Sequence, residues 1–525
     1  MQFSNITTVD PYAQLQKLKP ADLHTTLTAS RIAQASVPCG GGLTYNWASM
    51  PIDATHLTVL QDLANAQGLV EKYQALLTGE IMNTSEQRLV LHHLTRGRVL
   101  GEDTSIFIDG EEKGAFYKEQ LDRISHFSSE VRNGNIVSST GKRFTTVVQI
   151  GIGGSDLGPR AMYLALKGAV EVEDRLEAHF ISNVDPDDGE DIFEQIDFET
   201  TLFILVTKSG TTQETLTNAE MVKKAMTKAR IKGLNPAKHM VVVTSKSSPL
   251  ATSKEFLDAF FIDDYIGGRY SSTSAVGAVV LSISFGSEIF QRFLQGAHSA
   301  DVAALEPEIT HNAAMLDALI GVYLRNVLNL PSTAVLPYAQ ALSRFPAHLQ
   351  QLDMESNGKQ VNRDGEPIDY ETGPIIFGEP GTNGQHSFYQ LLHQGTSIVP
   401  LQFIGFKQSQ RGKDIEIDGS TSQTKLVANL VAQIVAFARG KEDSNANKRF
   451  LGNRYSSVII GDKVTPEALG ALLAHYENKI MFQGFLWNIN SFDQEGVQLG
   501  KVLATKVLSG ASEDEILQAY MNLLF

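Results

Sequence analysis

The sequence is poor in cysteine and contains no long hydrophobic run. Cys39 is the single cysteine among 525 residues, so no disulfide can form within the chain, and this favours a reducing compartment. No stretch reaches the roughly 18 apolar residues that a membrane-spanning helix needs. The first residues also lack the basic and apolar parts of a signal peptide. We therefore expect a cytoplasmic protein with no membrane partner.

Positive charge is also in short supply. The chain has 44 lysines and arginines against 59 aspartates and glutamates, which gives a formal net charge of −15. Binding along a nucleic acid needs a basic stripe that matches the phosphate backbone, so we expect no nucleic-acid partner. Net charge does not exclude a locally positive pocket for one small anion.

The spacing of apolar runs indicates the fold class. One core stops growing at roughly 250–300 residues, so this chain is long enough for two domains. Short β-branched runs alternate with helix-compatible segments, as is typical of parallel sheets covered by helices. The runs lie at residues 145–150, 179–182, 202–206 and 240–244, and again at 333–336, 374–377, 397–401 and 457–460. We predict an α/β protein with two mostly parallel sheets, each sandwiched by helices, and helical extensions at both ends.

The same patterns suggest four segments. Residues 1–110 are expected to be mostly helical, without a strong strand, and to pack on the second domain. Residues 111–280 form the first domain and 281–510 the second, which includes a helix at 424–437. Residues 511–525 form a C-terminal helix, with its periodic part at 513–524. Thr84 and Gln87 have the spacing of a capping box, and the apolar positions 89, 90 and 94 then give a partial helical stripe, which predicts a further helix over 89–94.

A glycine-rich turn follows the first predicted strand. Ligands of open α/β sheets bind beyond the carboxyl ends of the strands, and Gly151-Ile152-Gly153-Gly154-Ser155-Asp156 occupies such a position. Asp156 stands where a dinucleotide fingerprint needs glycine, and no P-loop lysine follows. The turn is therefore a phosphate or sugar turn of another type, or a tight turn without a ligand.

A second turn carries four hydroxyls and one lysine within six residues. It follows the strand at 202–206, and its residues are Thr207, Lys208, Ser209, Gly210, Thr211 and Thr212. Hydroxyls, backbone N–H groups and a helix N-terminus together can hold a phosphate dianion without a metal. A helix cap would explain only one or two of these hydroxyls. We predict a phosphate site here from the residues alone.

Other candidate residues are less distinctive when each is taken alone. Arg269 follows two glycines and could stabilise a developing oxyanion, although a surface ion pair explains it as well. Gln351 and Glu355 share one face of a predicted helix, yet a solvated glutamate is common. His386 precedes a predicted helix as a capping residue or a neutral proton-transfer group. Lys501 has no distinguishing local pattern.

Taken together, these segments resemble the phosphoglucose isomerase family. The matching stretches are residues 150–159, 206–215, 267–277, 351–359, 381–395 and 494–501, in the order of the family, with a further match at 83–92. The chain departs from common family patterns at Thr207, Gly210 and Glu495, where serine, a bulky aromatic residue and tryptophan are frequent.

The resemblance implies two sugar-isomerase-type domains and a homodimer whose active sites lie near the subunit interface. It implies reversible conversion of glucose 6-phosphate to fructose 6-phosphate through ring opening and an enediol, in glycolysis and gluconeogenesis, with no metal or other cofactor. A related isomerase of mannose 6-phosphate and a sugar-phosphate sensor without turnover stay open as alternatives.

The resemblance also assigns a role to each matching residue. Glu355 would move the proton between C2 and C1, Arg269 would stabilise the intermediate, and Gln351 would position the sugar. His386, supplied by the partner subunit, and Lys501 would serve ring opening. The substrate-contacting residues would be Gly154, Ser155, Thr207, Lys208, Ser209, Gly210, Thr211 and Thr212.

Overall fold

The N-terminal segment contains a β-hairpin as well as helices. The structure of the chain, a computed structural model, describes residues 2–101, 103–510 and 514–525. Its first elements are α1 (Asp10–Leu15), α2 (Leu23–Thr26), α3 (Ala29–Gln34), β1 (Ser36–Gly40), β2 (Leu43–Ser49), α4 (Ala54–Ala66) and α5 (Leu69–Leu77). The expectation of a segment without a strand was therefore wrong. Leu43, Tyr45 and Trp47 alternate toward the core with the period of a strand.

The helix expected at 89–94 does not form. Asn83 and Arg88 pair as an isolated antiparallel bridge, and Gln87 between them has a left-handed backbone with φ of 54°. The Gln87 side chain donates to the carbonyl of Thr84 at 2.6 Å, so the two residues close a turn instead of a capping box. A short 3₁₀ helix follows at His92–Arg96.

A five-stranded parallel sheet forms the centre of the first half of the chain. Its elements are β3 (Phe107–Ile108), β4 (Glu111–Glu112), α6 (Lys113–Asn133), β5 (Thr146–Ile150), α7 (Leu157–Leu166), β6 (Glu177–Ile181), α8 (Pro186–Phe193), β7 (Thr201–Val206), α9 (Gln213–Lys228), β8 (Met240–Thr244), β9 (Ala259–Phe261) and α10 (Ala275–Phe285). The strand order is β6-β5-β7-β8-β9, and every pair is parallel. Because helices cover both faces, alternate residues of β7 enter two different cores: Leu202 and Ile204 on one side, Phe203 and Leu205 on the other.

A second, six-stranded sheet forms the other half. Its elements are α11 (Ser287–Ala303), α12 (Ala313–Val322), β10 (Ser332–Pro337), α13 (Phe345–Leu349), β11 (Ile375–Phe377), α14 (Tyr389–Gln394), β12 (Leu401–Phe406), β13 (Glu416–Ile417), β14 (Ser420–Thr421), α15 (Ser422–Arg439), β15 (Ser456–Gly461) and α16 (Pro466–Leu486). The strand order is β1-β2-β15-β12-β10-β11, in which β15, β12, β10 and β11 run parallel and the N-terminal hairpin joins antiparallel. The expected α/β class with mostly parallel sheets between helices is confirmed.

One predicted strand lies later in the sequence than expected. The run at 397–401 is irregular up to Pro400, and β12 begins at Leu401. Proline has no N–H and cannot donate to a central ladder, but the carbonyl of Pro400 still accepts from the N–H of Ala334 at 2.9 Å. The proline therefore marks the start of the strand.

The expected division at residue 280 falls inside α10. This helix packs on the first sheet, whereas α11 packs along α16, and Gly286 separates the two helices with φ of 91°. The change of packing partner thus occurs at Gly286. The four-segment division itself remains a prediction.

The chain ends in two helices that lie on the surface. These are α17 (Gln498–Ser509) and α18 (Glu515–Leu524), and neither contains a buried residue. The C-terminal helix was expected over 513–524; its observed part starts at Glu515, while residue 513 and the expected boundary at 511 lie outside the described residues. Across the described ranges, every helix falls short of the length and apolarity that a membrane crossing requires.

Candidate active site

A cavity of about 460 Å³ opens at the carboxyl ends of the first sheet. The loops that follow β5, β7 and β9 form one side of it, and residues from the second half of the chain, Gln351, Glu355 and Lys501 among them, form the other. This is the edge at which ligands of parallel α/β sheets bind. The cavity therefore lies where the two halves of the chain meet.

Two glycine loops touch each other through their backbones at this cavity. A Cβ atom on Gly154 would lie 2.2 Å from the carbonyl carbon of Gly268, so a residue with a side chain would push the loops apart. The Gln149 side chain holds the first loop by donating to the carbonyl of Ser155 at 2.7 Å. Gly154 and Ser155, both predicted to contact substrate, line the cavity.

The hydroxyl-rich loop after β7 forms the wall nearest the start of α9. The N–H of Thr207 donates to the carbonyl of Val243 at 3.0 Å, and its hydroxyl donates to that of Thr212 at 3.2 Å. Thr212 is the N-cap residue of α9, but its side chain accepts no capping hydrogen bond from the helix. The first N–H groups of such a helix have no partner within the helix and favour an anion. Lys208 and Ser209 complete this wall.

Two residues of this loop do not line the cavity. Gly210 has φ of 69°, and a Cβ on it would lie 2.2 Å from Oγ of Ser248, so a bulky side chain does not fit here. Thr211 lines a separate outer groove along α9, and its N–H and hydroxyl both bond to Oγ of Ser209 at 3.2 and 2.9 Å. Their predicted contact with substrate has no counterpart in the cavity wall.

Arg269 is buried and held on three sides. Its Nε donates to Oγ of Ser356 at 2.6 Å. Its Nη2 donates to the carbonyls of Ser491 and Asp493, both at 2.8 Å. The remaining nitrogen, Nη1, lies 3.3 Å from Oε2 of Glu355. A fixed guanidinium thus faces the cavity beside a carboxylate.

Gln351 and Glu355 stand on a single turn of π-helix. The turn spans Gln350–Glu355 directly after α13, whereas the sequence predicted a regular helix; π turns are frequent at functional sites. Both side chains reach the cavity. The Gln351 amide nitrogen lies over the first glycine loop, 3.2 Å from where a Cβ of Gly153 would be.

A buried polar cluster lies behind this turn. Burial raises the pKa of Asp353 to about 7, even though Lys479 favours its ionised form. Within the described part of the chain, Oδ1 of Asp353 has no hydrogen-bond partner. Burial would also raise the pKa of Asp317, but Lys479, His475 and Gln402 hold it at about 2. The pKa values of the two buried aspartates are therefore shifted in opposite directions.

The structure separates His386 from the other predicted catalytic residues. His386 is exposed and lies outside the cavity wall, whereas Lys501 on α17 lines it. His393, expected to be structural, stacks on Phe437 with ring centroids 3.7 Å apart and pairs with Gln433 at 2.8 Å.

Several cavity residues carried no individual prediction. Arg88 lies 3.1 Å from Glu86 and 3.9 Å from Asp264, which itself lies 3.6 Å from Lys208. Glu86 and Arg88 belong to the segment 83–92 that supported the resemblance, so a signal for them existed. Asp264 had none. Glu214 and Gln494 also line the cavity.

The fold and the cavity define an α/β protein equipped for acid–base chemistry on a phosphorylated small molecule. The chain matches the family model described as phosphoglucose isomerase over residues 46–522. It belongs to that family, and the resemblance found in the sequence is confirmed.

Individual relatives agree with this assignment. A glucose-6-phosphate isomerase of Treponema denticola is 57% identical over 518 residues, which cover 97% of each chain. One from Borreliella burgdorferi is 46% identical and covers 99% of this chain and 98% of its own. The crystal structure of a glucose-6-phosphate isomerase from Chlamydia trachomatis superimposes with a TM-score of 0.91 at 43% identity and covers 99% of each chain.

Proposed function

We propose that this protein converts glucose 6-phosphate and fructose 6-phosphate into each other, as a step of glycolysis and gluconeogenesis. The observation that carries the proposal is the placement of Glu355 and Arg269, 3.3 Å apart, across a cavity from the hydroxyl-rich loop. A coupled assay that follows glucose 6-phosphate formed from fructose 6-phosphate tests it. Absence of turnover by the folded protein would reject it.

The phosphate group is bound by the loop after β7 in this proposal. Thr207, Lys208, Ser209 and Thr212 supply hydroxyls and a cation, and α9 supplies its N-terminal N–H groups. Binding energy gained at the remote phosphate orients the reacting end of the sugar. Gly154 and Ser155 contact the sugar, and Gln351 positions it beside the base.

Proton transfer follows ring opening. In the open-chain aldose, Glu355 removes the proton from C2 and returns it to C1, while the hydroxyl proton on O2 passes to O1, which gives the ketose; the reverse steps give the aldose. Negative charge develops on the carbonyl oxygen meanwhile, and the fixed Nη1 of Arg269 stabilises it at no reorganisation cost. Positioned proton transfer of this kind typically contributes about 10²–10⁴-fold.

Ring opening is assigned to Lys501 and to a histidine from a second copy of the chain. His386 is exposed and lies away from its own cavity. A groove of about 1040 Å³ beside Glu355 shares Gln351 with the cavity and offers room for a partner loop. Large apolar residues on α17 and α18 are exposed, with Leu499 at 69% and Leu524 at 78%. Such an apolar surface favours a homodimer.

The proposed mechanism uses no metal or other cofactor. Activity should therefore persist after dialysis against a chelator, and a loss that added metal restores would refute this part. We also propose a cytoplasmic location, which the single cysteine supports.

A further inference from the structure

The hydroxyl of Ser356 lies against Arg269 and Tyr270, one residue after Glu355 in the chain. Ser356 follows Glu355 directly in the chain and is fully buried. Its Oγ accepts a hydrogen bond from Nε of Arg269 at 2.6 Å and lies 2.9 Å from the hydroxyl of Tyr270. The small side chain of Ser356, directly after the π-helical turn, therefore contacts both Arg269 and Tyr270.

The remaining contacts of the guanidinium show what this hydroxyl contributes. Nη2 is fixed by the carbonyls of Ser491 and Asp493, and both of these bonds act at one end of the guanidinium. The bond from Nε to Ser356 fixes a second point of the planar fork. Only Nη1 then faces the cavity, beside Glu355. Ser356 thus holds the Nε edge of the guanidinium while Nη1 faces the cavity.

We propose that Ser356 is a positioning residue for the isomerisation, which aims Nη1 of Arg269 at the oxygen where negative charge develops. The inference rests on the roles proposed for Arg269 and Glu355. Ser356 itself does not line the cavity, so it acts through the arginine. Because Ser356 directly follows Glu355, a single backbone segment sets the positions of both the base and the acceptor of Arg269.

The neighbouring aromatic ring supports this arrangement. Tyr270 is buried and stacks on His92, with ring centroids 4.8 Å apart, so its hydroxyl is held against Ser356. Without the serine oxygen, the buried Nε of Arg269 loses the acceptor that it has in the fold, and a buried donor that loses its partner drives rearrangement. The expected rearrangement is a rotation that carries Nη1 away from the cavity.

Two substitutions separate the hydrogen bond from packing. Ser356→Ala removes the acceptor, and Ser356→Cys keeps nearly the same shape but replaces it with a weak one. We expect both to lower kcat about tenfold or more while KM for fructose 6-phosphate changes less than about threefold, as for a group that acts only in the transition state. Ser128→Ala is the matched control, because Ser128 is a buried helical serine that bonds locally to the carbonyl of Ser125; its kcat should equal that of the wild type.

A binding experiment gives a second readout. A phosphorylated five-carbon aldonate carries a carboxylate that imitates the charged intermediate, whereas inorganic phosphate probes only the phosphate loop. Calorimetry should show about tenfold weaker aldonate binding by Ser356→Cys and unchanged phosphate binding.

Three results would overturn the proposal: wild-type kcat in folded Ser356→Ala, wild-type kcat in Ser356→Cys, or undiminished aldonate affinity in Ser356→Cys. A wild-type protein without isomerase activity would instead reject the proposed function, since the aldonate titration still reports on Arg269 and the phosphate titration on the loop after β7.

Discussion

Nη1 of Arg269 lies 3.3 Å from Oε2 of Glu355, and the two side chains are only 1% and 18% exposed. The distance is short enough for strong interaction in a water-poor site. It places a cation beside the carboxylate that we assign as the base. The same cation also faces the cavity, where it can stabilise the negative charge that develops on the substrate oxygen.

Replacing the base should remove most of the turnover but leave binding intact. Glu355→Gln keeps the size of the side chain and removes its ability to accept a proton. We expect kcat to fall by about 10²–10⁴-fold, while the calorimetric affinity for fructose 6-phosphate changes little. Glu119→Gln, at an exposed position on α6, controls for the loss of one negative charge. Near-normal turnover of Glu355→Gln would disprove the assignment.

A shared active site predicts complementation between two inactive variants. Glu355→Gln and His386→Ala should each be inactive alone. If each site combines Glu355 of one chain with His386 of the other, mixed dimers contain one intact site. Co-refolding equal amounts should then restore about one quarter of wild-type activity, since half of the dimers are mixed and each has one working site. No recovery in a mixture shown to contain mixed dimers would mean that both residues act within one chain.

Asp264 should compete with the substrate phosphate for positive charge. It is half exposed and lies 3.6 Å from Lys208 and 3.9 Å from Arg88. Asp264→Asn should therefore lower KM about two- to fivefold at low salt. This decrease in KM should become smaller as added salt screens the charges. Asp462→Asn, which removes the partner of Lys407 in a well-exposed ion pair, should leave KM unchanged. A KM that rises or stays constant at low salt in Asp264→Asn would contradict this role.

Asp353 should make the fold less stable as pH rises. Burial raises its pKa to about 7, so the folded state holds its proton over a range in which the unfolded chain has lost it. The stabilisation is fully present below the unfolded pKa of about 4 and disappears as pH rises through about 7. Asp353→Asn removes this dependence.

Urea unfolding at several pH values measures the effect. Between about pH 4 and pH 8, the free energy of unfolding of Asp353→Asn should rise relative to that of the wild type by on the order of 3 kcal/mol. Asp122→Asn, an exposed aspartate on α6, should show no comparable gain. Parallel pH curves for wild type and Asp353→Asn would show that the carboxyl is not protonated in the fold.

The central strands were predictable because burial on both faces leaves continuous apolar runs. The hairpin at β1 and β2 was missed although Val37, Cys39, Leu43 and Tyr45 alternate toward the core. Pro38 and the three glycines after Cys39 weaken the local strand signal. The edge position of β1 tolerates the proline, and that position depends on pairing with distant strands.

Local chemistry revealed only part of the site. The hydroxyls from Thr207 to Thr212 are close in sequence, so their grouping was visible, whereas Glu355 and Lys501 required the family resemblance. The contacts that orient Arg269 were out of reach, because Ser356 lies 87 positions away and Ser491 lies 222 positions away. Only the fold brings these atoms together.

The central claim is proton transfer between C1 and C2 of a sugar phosphate. The most direct measurement is proton NMR of fructose 6-phosphate incubated with the protein in D₂O until equilibrium and through many further turnovers. We predict glucose 6-phosphate that carries deuterium at C2, because the proton held by Glu355 exchanges with solvent between turnovers. No glucose 6-phosphate, or glucose 6-phosphate with protium fully retained at C2, would contradict the account.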